Sequence, residues 1–236
     1  MYRSLTVTAI ITAAGKGTRM KSPLSKQFLD LNGRPVLAHT LLAFQQCEAV
    51  DGILVAMEPE YIDRCGEDIV ERFGISKVRG ILAGGSTRQQ SVAAGLEAAP
   101  EGIVVIHDGA RPLVGCGLIE QGIERLMDLG LDGTACAVPV KDTVKLVDRA
   151  ERVERTLDRE RLRAVQTPQC FRAAAVKEAH RRAALEGVQA TDDLMLLERC
   201  GYRVALYPGR YDNIKITTPE DLLLAGVLLE GRDKSC

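Results

Sequence analysis

The 236-residue chain is long enough to bury a substantial core, and its 31 Lys and Arg against 32 Asp and Glu leave a formal charge of -1. So near a balance excludes a global field drawing the protein to nucleic acid or to an anionic membrane, and any anionic ligand must be met by local cations. The longest apolar runs, such as residues 222–229, are far too short to span a bilayer, and Thr6, Thr8 and Thr12 suit a buried strand better than a cleavable leader. A cytoplasmic protein with a single domain over residues 1–236 is expected. Seven scattered cysteines without a C-x-x-C pair argue against a disulfide framework or a zinc site.

Val7–Thr12, rich in β-branched residues, predicts a first strand running into Ala13-Ala14-Gly15-Lys16-Gly17-Thr18-Arg19. Pro35 opens a helix in which Leu37, Leu41 and Phe44 share one face. Gly52–Met57 and Lys77–Leu82 read as strands, with Gly74 closing a second helix that ends near Phe73. Ser86 and Gln89 have the spacing of a capping box for a helix through Leu96. A strand at Ile103–His107, a helix at Leu118–Leu129 and a strand at Thr134–Val140 follow. Such alternation requires crossovers, and so predicts an α/β fold with a mainly parallel twisted sheet and helices on both faces.

From Lys141 to Gln169 the pattern turns charge-rich. Alternation in Thr143–Val147 and Arg163–Thr167 predicts two ribbon strands joined by a polar turn, a projecting β-arm (141–169) that buries little by itself and would gain from packing on a second subunit. Beyond it come a helix over Arg172–Glu186 ended by Gly187, a helix capped by Thr191 or Asp192 and running through Arg199, a strand at Arg203–Tyr207, and a last helix opened by Thr218-Pro219.

Ligands of open α/β sheets bind beyond the carboxyl ends of the strands, and there the chain carries its polar loops: "AAGKGTRM", "AGGSTRQQS", "HDGARP" and "PVKDTVK". The first is neither a Walker A loop, because Gly17 follows Lys16, nor a dinucleotide fingerprint, because Met20 replaces the third glycine. Gly15 and Gly17 would still let phosphates approach backbone N–H groups, with Arg19 and Lys26 adding charge. Gly84 and Gly85 allow close contact with a flat base, and Ser86 and Ser91 offer hydrogen bonds to its edge, although Ser86 also suits helix capping. Asp108 is placed to hold Mg²⁺ or ligand hydroxyls, or else to pair with Arg111. His107 reads as a packed strand residue, and His39 and His180 have no recognisable metal partner. Lys215, between Ile214 and Ile216 on an expected strand, points away from the core.

Seven blocks in register, "ITAAGKGTRMKSPLSKQF", "GGSTRQQSV", "HDGARP", "PVKDTVK", "TLDRERLRAVQTPQCF", "TDD" and "DNIKITTPEDL", span nearly the whole chain and resemble the cytidylyltransferases acting on 2-C-methyl-D-erythritol 4-phosphate. The resemblance implies a Rossmann-like nucleotidyltransferase domain and a homodimer in which the β-arm crosses to the neighbour. It implies transfer of CMP from CTP to the sugar-alcohol phosphate with release of pyrophosphate, a step of non-mevalonate isoprenoid synthesis, with Mg²⁺ or another divalent cation. It places Ala13, Ala14, Gly15, Gly17, Arg19 and Lys26 around CTP, and Gly85, Ser86 and Ser91 at the cytosine. Asp108, Arg111, Thr143, Thr167, Thr191 and Lys215 fall near the ribose or the acceptor phosphate, with Arg159 reaching the partner's site. Arg19, Lys26, Arg159 and Lys215 carry the catalytic charge. Thr12, Ser86 and Gly109 depart from the residues common in that family. A ribitol 5-phosphate cytidylyltransferase shares the same loops, and a non-catalytic nucleotide sensor is the alternative of another class.

Overall fold

A computed structural model of the chain describes residues 4–15 and 25–233. Strand β1 (Val7–Thr12) comes first, and a 3-10 turn at Lys26–Phe28 leads into a hairpin of β2 (Asp30–Leu31) and β3 (Arg34–Pro35). Its turn residues Asn32 and Gly33 both have positive φ, 51° and 85°, which an Asn-Gly pair accommodates readily. Helix α1 (Val36–Gln46), β4 (Gly52–Met57), α2 (Ile62–Cys65) with its π continuation Gly66–Glu71, β5 (Val78–Ala83), α3 (Arg88–Ala98), β6 (Ile103–Asp108), α4 (Cys116–Asp128) and β7 (Gly133–Pro139) complete the alternation. The arm holds β8 (Lys145–Val147) and β9 (Val153–Thr156). It is followed by β10 (Arg163–Arg172), α5 (Ala173–Glu186), α6 (Asp193–Arg199), β11 (Val204–Pro208) and α7 (Pro219–Asp233).

Seven strands join in the order β11-β7-β10-β6-β1-β4-β5. All neighbours are parallel except β10, which runs antiparallel to both β6 and β7. The period of two along β1 sorts its side chains between the layers: Val7, Ala9 and Ile11 pack with α1, the α2 region and α4, whereas Ile10 packs with α3, α5 and α6. Glycine permits close packing at one of these contacts, since a Cβ on Gly95 of α3 would lie 2.5 Å from Ile10. A smaller cluster of Leu31, Val36, Leu113, Ile216 and Ala225 ties α7 and the β2–β3 hairpin to the segment that carries Lys215.

Three expectations need correction. Arg163–Thr167 is not the second ribbon strand; β8 pairs with β9, and 163–167 opens the antiparallel strand β10 inside the main sheet. Pro168 hides that strand from a sequence pattern, but the β10–β7 pairing skips between Val165 and Gln169, so no ladder bond is lost at the proline. The α3 capping box is Thr87 with Gln90, one residue beyond the expected pair, which leaves Gln89 to bond Val188 O and Ala190 N. Residues 214–216 form no ladder strand. Ile216 N nevertheless donates to Ala110 O at 2.8 Å, and that one bond aligns the extended segment with the end of β6.

Candidate active site

Because β1, β4, β5 and β6 are parallel and in register, Thr12, Met57, Ala83 and Asp108 end along one edge of the sheet. A cavity of about 550 Å³ opens beyond that edge, lined by Ala14 and Gly15 after β1, by residues 84–88 and Ser91 after β5, by Asp108 and Ala110 at the end of β6, and by Lys26 and Lys215. Glycine is needed at its floor: a Cβ on Gly84 would sit 2.4 Å from the Ala14 side chain and 2.9 Å from Ser91 Oγ. Gly85 N donates to Ser91 Oγ at 3.2 Å, and Ser91 Oγ donates to Thr87 O at 3.0 Å, so the loop is folded back on the first turn of α3.

Asp108 is the electrostatic centre. Its side chain is buried, yet three cations from three segments converge on it: Arg88 Nε lies 3.1 Å from Oδ1, while Lys215 Nζ and Arg111 Nε lie 2.8 and 3.5 Å from Oδ2. Burial alone would raise the carboxyl pKa; Arg88, Lys215 and Arg111 outweigh it and hold Asp108 well below the usual carboxylate range. Arg88 also reaches Asp193 Oδ2 at 2.6 Å, and Asp193 Oδ1 lies 2.9 Å from His180 Nε2. One chain of polar contacts therefore runs from α5 through α6 and α3 to the end of β6.

His107 is fully buried, and burial pushes its pKa down to about 3, so it is neutral. Its Nε2 lies 3.2 Å from Arg111 O, which can only accept, so Nε2 carries the proton and Nδ1 accepts from Thr167 Oγ1 at 2.9 Å. The same Thr167 oxygen accepts from Asp108 N at 3.1 Å. Arg111 is steadied further by its Nη1 donating to Asn213 O at 2.8 Å.

The family model described as "IspD: 2-C-methyl-D-erythritol 4-phosphate cytidylyltransferase" matches residues 7–231. The chain belongs to that family. It is 46% identical to the 2-C-methyl-D-erythritol 4-phosphate cytidylyltransferase of Clostridium acetobutylicum over 94% of this chain and 96% of the relative. The protein of the same name from Geotalea uraniireducens is also 46% identical, over 95% of this chain and 97% of its own. Among solved structures, the 4-diphosphocytidyl-2C-methyl-D-erythritol synthase of Anaerococcus prevotii matches with a TM-score of 0.83 and 31% identity, covering 96% of this chain and 99% of that one. The Thermus thermophilus cytidylyltransferase gives a TM-score of 0.76 at 36% identity, over 94% and 98%.

Of the residues that the resemblance assigns, this cytidylyltransferase fold brings Ala14, Gly15, Lys26, Gly85, Ser86, Ser91, Asp108 and Lys215 to one cavity. Gly17 and Arg19 lie outside the described residues. Ala13 is buried behind the loop, its N–H donating to Ala56 O at 2.7 Å, and Arg111 stands behind Asp108. Thr167 differs from the expected ligand contact: it is buried, its proton goes to His107, and it supports Asp108 from below. Thr143 and Thr191 are exposed and do not line this cavity, so the loop after β7 leads into the arm instead of closing the rim as expected. Arg159 is exposed on the arm, where Nη1 donates to Lys141 O at 3.0 Å. Spacing gave no sign of the Arg88–Asp193 link, because it joins residues 105 positions apart. Its one local hint was an arginine in the first helical turn after a glycine pair.

Asp108 does not fit direct metal ligation in this arrangement. It is a single carboxylate with both oxygens facing cations, and among the described residues no group of three or more His, Cys, Asp or Glu could hold a metal ion. Among the described residues, no helix of this family member is long and apolar enough to cross a membrane.

Proposed function

We propose that this chain transfers CMP from CTP to 2-C-methyl-D-erythritol 4-phosphate, releasing pyrophosphate and giving 4-diphosphocytidyl-2-C-methyl-D-erythritol. The observation that carries this reading, in a chain of this family, is the convergence of Lys26, Lys215 and the Asp108 cluster on a glycine-lined cavity. The base stacks on Gly84 and Gly85, and its edge meets Ser86 and Ser91. The triphosphate lies along Ala14 and Gly15, with Lys26 against its charge. The acceptor's phosphate monoester is already ionised near neutral pH, so it attacks the α-phosphorus without a protein base, in line with the departing pyrophosphate. The task of the protein is to bring two anions together and to stabilise the charge that moves onto the leaving group.

Lys215 is the acceptor's cation. In the free protein it rests on Asp108, which keeps the ammonium fixed at the cavity wall; an arriving phosphate shares it. Arg159 supplies the second acceptor cation from a neighbouring copy, with Thr143 and Thr191 near the same phosphate. A homodimer through the arm is supported by Leu146, Val147, Val153 and Val165, large apolar side chains left 38–60% exposed. We assign the divalent cation to the triphosphate's own oxygens. The cytoplasm is the setting in which CTP is available.

The test is pyrophosphate release from a panel of nucleoside triphosphates paired with methylerythritol and ribitol phosphates. The expected result is a marked preference for CTP with the methylerythritol ester. Preference for ribitol 5-phosphate would overturn the acceptor assignment, and CTP binding without pyrophosphate release would overturn the enzymatic one.

A further inference from the structure

We propose that Arg88 is a positioning residue that fixes the rotation of the Asp108 carboxylate and, through it, the place of Lys215. The proposal rests on the reaction assigned above. Arg88 stands in the first turn of α3, directly after the cap residue Thr87, and its side chain folds back to the end of β6. Its guanidinium joins two carboxylates from separate elements, Asp108 Oδ1 at 3.1 Å and Asp193 Oδ2 at 2.6 Å. Both carboxylates are almost wholly buried.

The two oxygens of Asp108 are not held alike. Oδ2 has two cations, Lys215 and Arg111. Among the described residues Oδ1 has one, Arg88, and beyond it only the Thr12 hydroxyl at a long 3.4 Å. Contacts at a single oxygen leave a carboxylate able to turn about its last bond, whereas a partner on each oxygen locks its plane. Arg88 is that second anchor, and it is itself anchored, because Asp193 is held by His180 and by the cap of α6. The planar fork offers a separate nitrogen to each carboxylate, Nε to Asp108 and Nη1 to Asp193, a geometry that the single nitrogen of a lysine ammonium does not reproduce. Arg88 also lines the cavity directly after the 84–87 loop, so one side chain sets the geometry of that wall against the acceptor cation.

Two measurements test this. A crystal structure of Arg88→Met needs no turnover: the expected result is an Asp108–Lys215 separation beyond about 4 Å, the limit of an ion pair, or a rotated Asp108 carboxylate. An unchanged pair in an unchanged plane would overturn the proposal. A double-mutant cycle then asks whether Arg88 acts through Asp108. Arg88→Met is expected to lower kcat by roughly 10- to 100-fold in the wild-type background and by less than about 3-fold in Asp108→Asn, the coupling seen between contacting residues. Equal losses in both backgrounds would show a merely structural role and sink the idea. Arg88→Lys, which keeps the charge and protects folding, is expected to give the same non-additivity with a smaller loss. A wild-type chain that transfers no CMP would refute the assigned reaction, while the crystal structure still decides the geometry.

Discussion

The cluster around Asp108 and the arm beyond Pro139 are both rich in charge, yet they are built in opposite ways. Around Asp108, three cations and two carboxylates from the end of β6 and the turn after it, α3, α6 and the segment before α7 are locked together with little exposure. On the arm, β8 and β9 are exposed throughout, and among the described residues the Arg159 side chain reaches only Lys141 O. The arm is anchored at its base, where Tyr211 donates to Pro139 O at 2.8 Å and Lys141 Nζ lies 3.7 Å above the Tyr211 ring. Buried charges with mutual partners are fixed before any ligand arrives, which is what stabilising a transition state requires. Exposed charges on a ribbon acquire a fixed place only when something covers them. On the proposed reading, one chain therefore supplies a finished half of the site, and the arm offers groups that need another surface to act on.

Four variants sharpen or break this contrast. Lys26→Ala removes a cation from the finished half and should lower turnover by ~10²- to 10³-fold, the loss seen on deleting a transition-state donor, with the unfolding midpoint little changed; full steady-state activity would exclude that role. Next comes acid. The unfolded imidazole titrates near 6.5 and folded His107 at about 3, so the unfolded chain binds more protons between those values. The His107 contribution is complete above pH 6.5 and is lost as pH falls toward 3; Asp108, whose folded pKa is depressed, adds its own loss only below about pH 4. Denaturant titrations should show about 2 kcal/mol less stability at pH 5 than at pH 7, and His107→Gln should flatten that slope. An equally steep slope in the variant would place the titrating group elsewhere.

Arg159→Ala should cost roughly tenfold or more in turnover, the worth of one charge-assisted contact, while leaving thermal stability unchanged because the side chain is exposed. Unaltered kinetics would reduce the arm to scaffolding. The smallest effect is expected at the edge of the nucleotide loop, where Thr87→Ala deletes the α3 cap and should cost about 1 kcal/mol in a denaturant titration. No loss there would mean that Ser86 replaces the cap.

The same division explains what the sequence disclosed. Local signals served well where one element determines the outcome: the β-branched run of β1, the apolar face of α1 and the glycine that ends α5 all appear close to where they were expected. The rim loops were legible because parallel strands must deliver them to one edge. Strand β10 was not, since its pairing depends on β6 and β7 far away in sequence and its own residues include Pro168 and several charges. Thr167 could be picked out as polar, but its work beneath Asp108 depends on β10 lying beside β6. The Arg88–Asp193 pair is the extreme case, a contact made by tertiary packing between α3 and α6 and invisible to any pattern within either segment.

Lys215→Ala offers the most direct test of the central claim, that a cation held ready at the Asp108 cluster brings the acceptor phosphate to CTP. Single-turnover CMP transfer should be measured with both substrates saturating, alongside CTP affinity in the absence of acceptor. The account predicts transfer slowed by ~10²-fold or more, with CTP binding altered by less than about 3-fold. Transfer at the wild-type rate would contradict it.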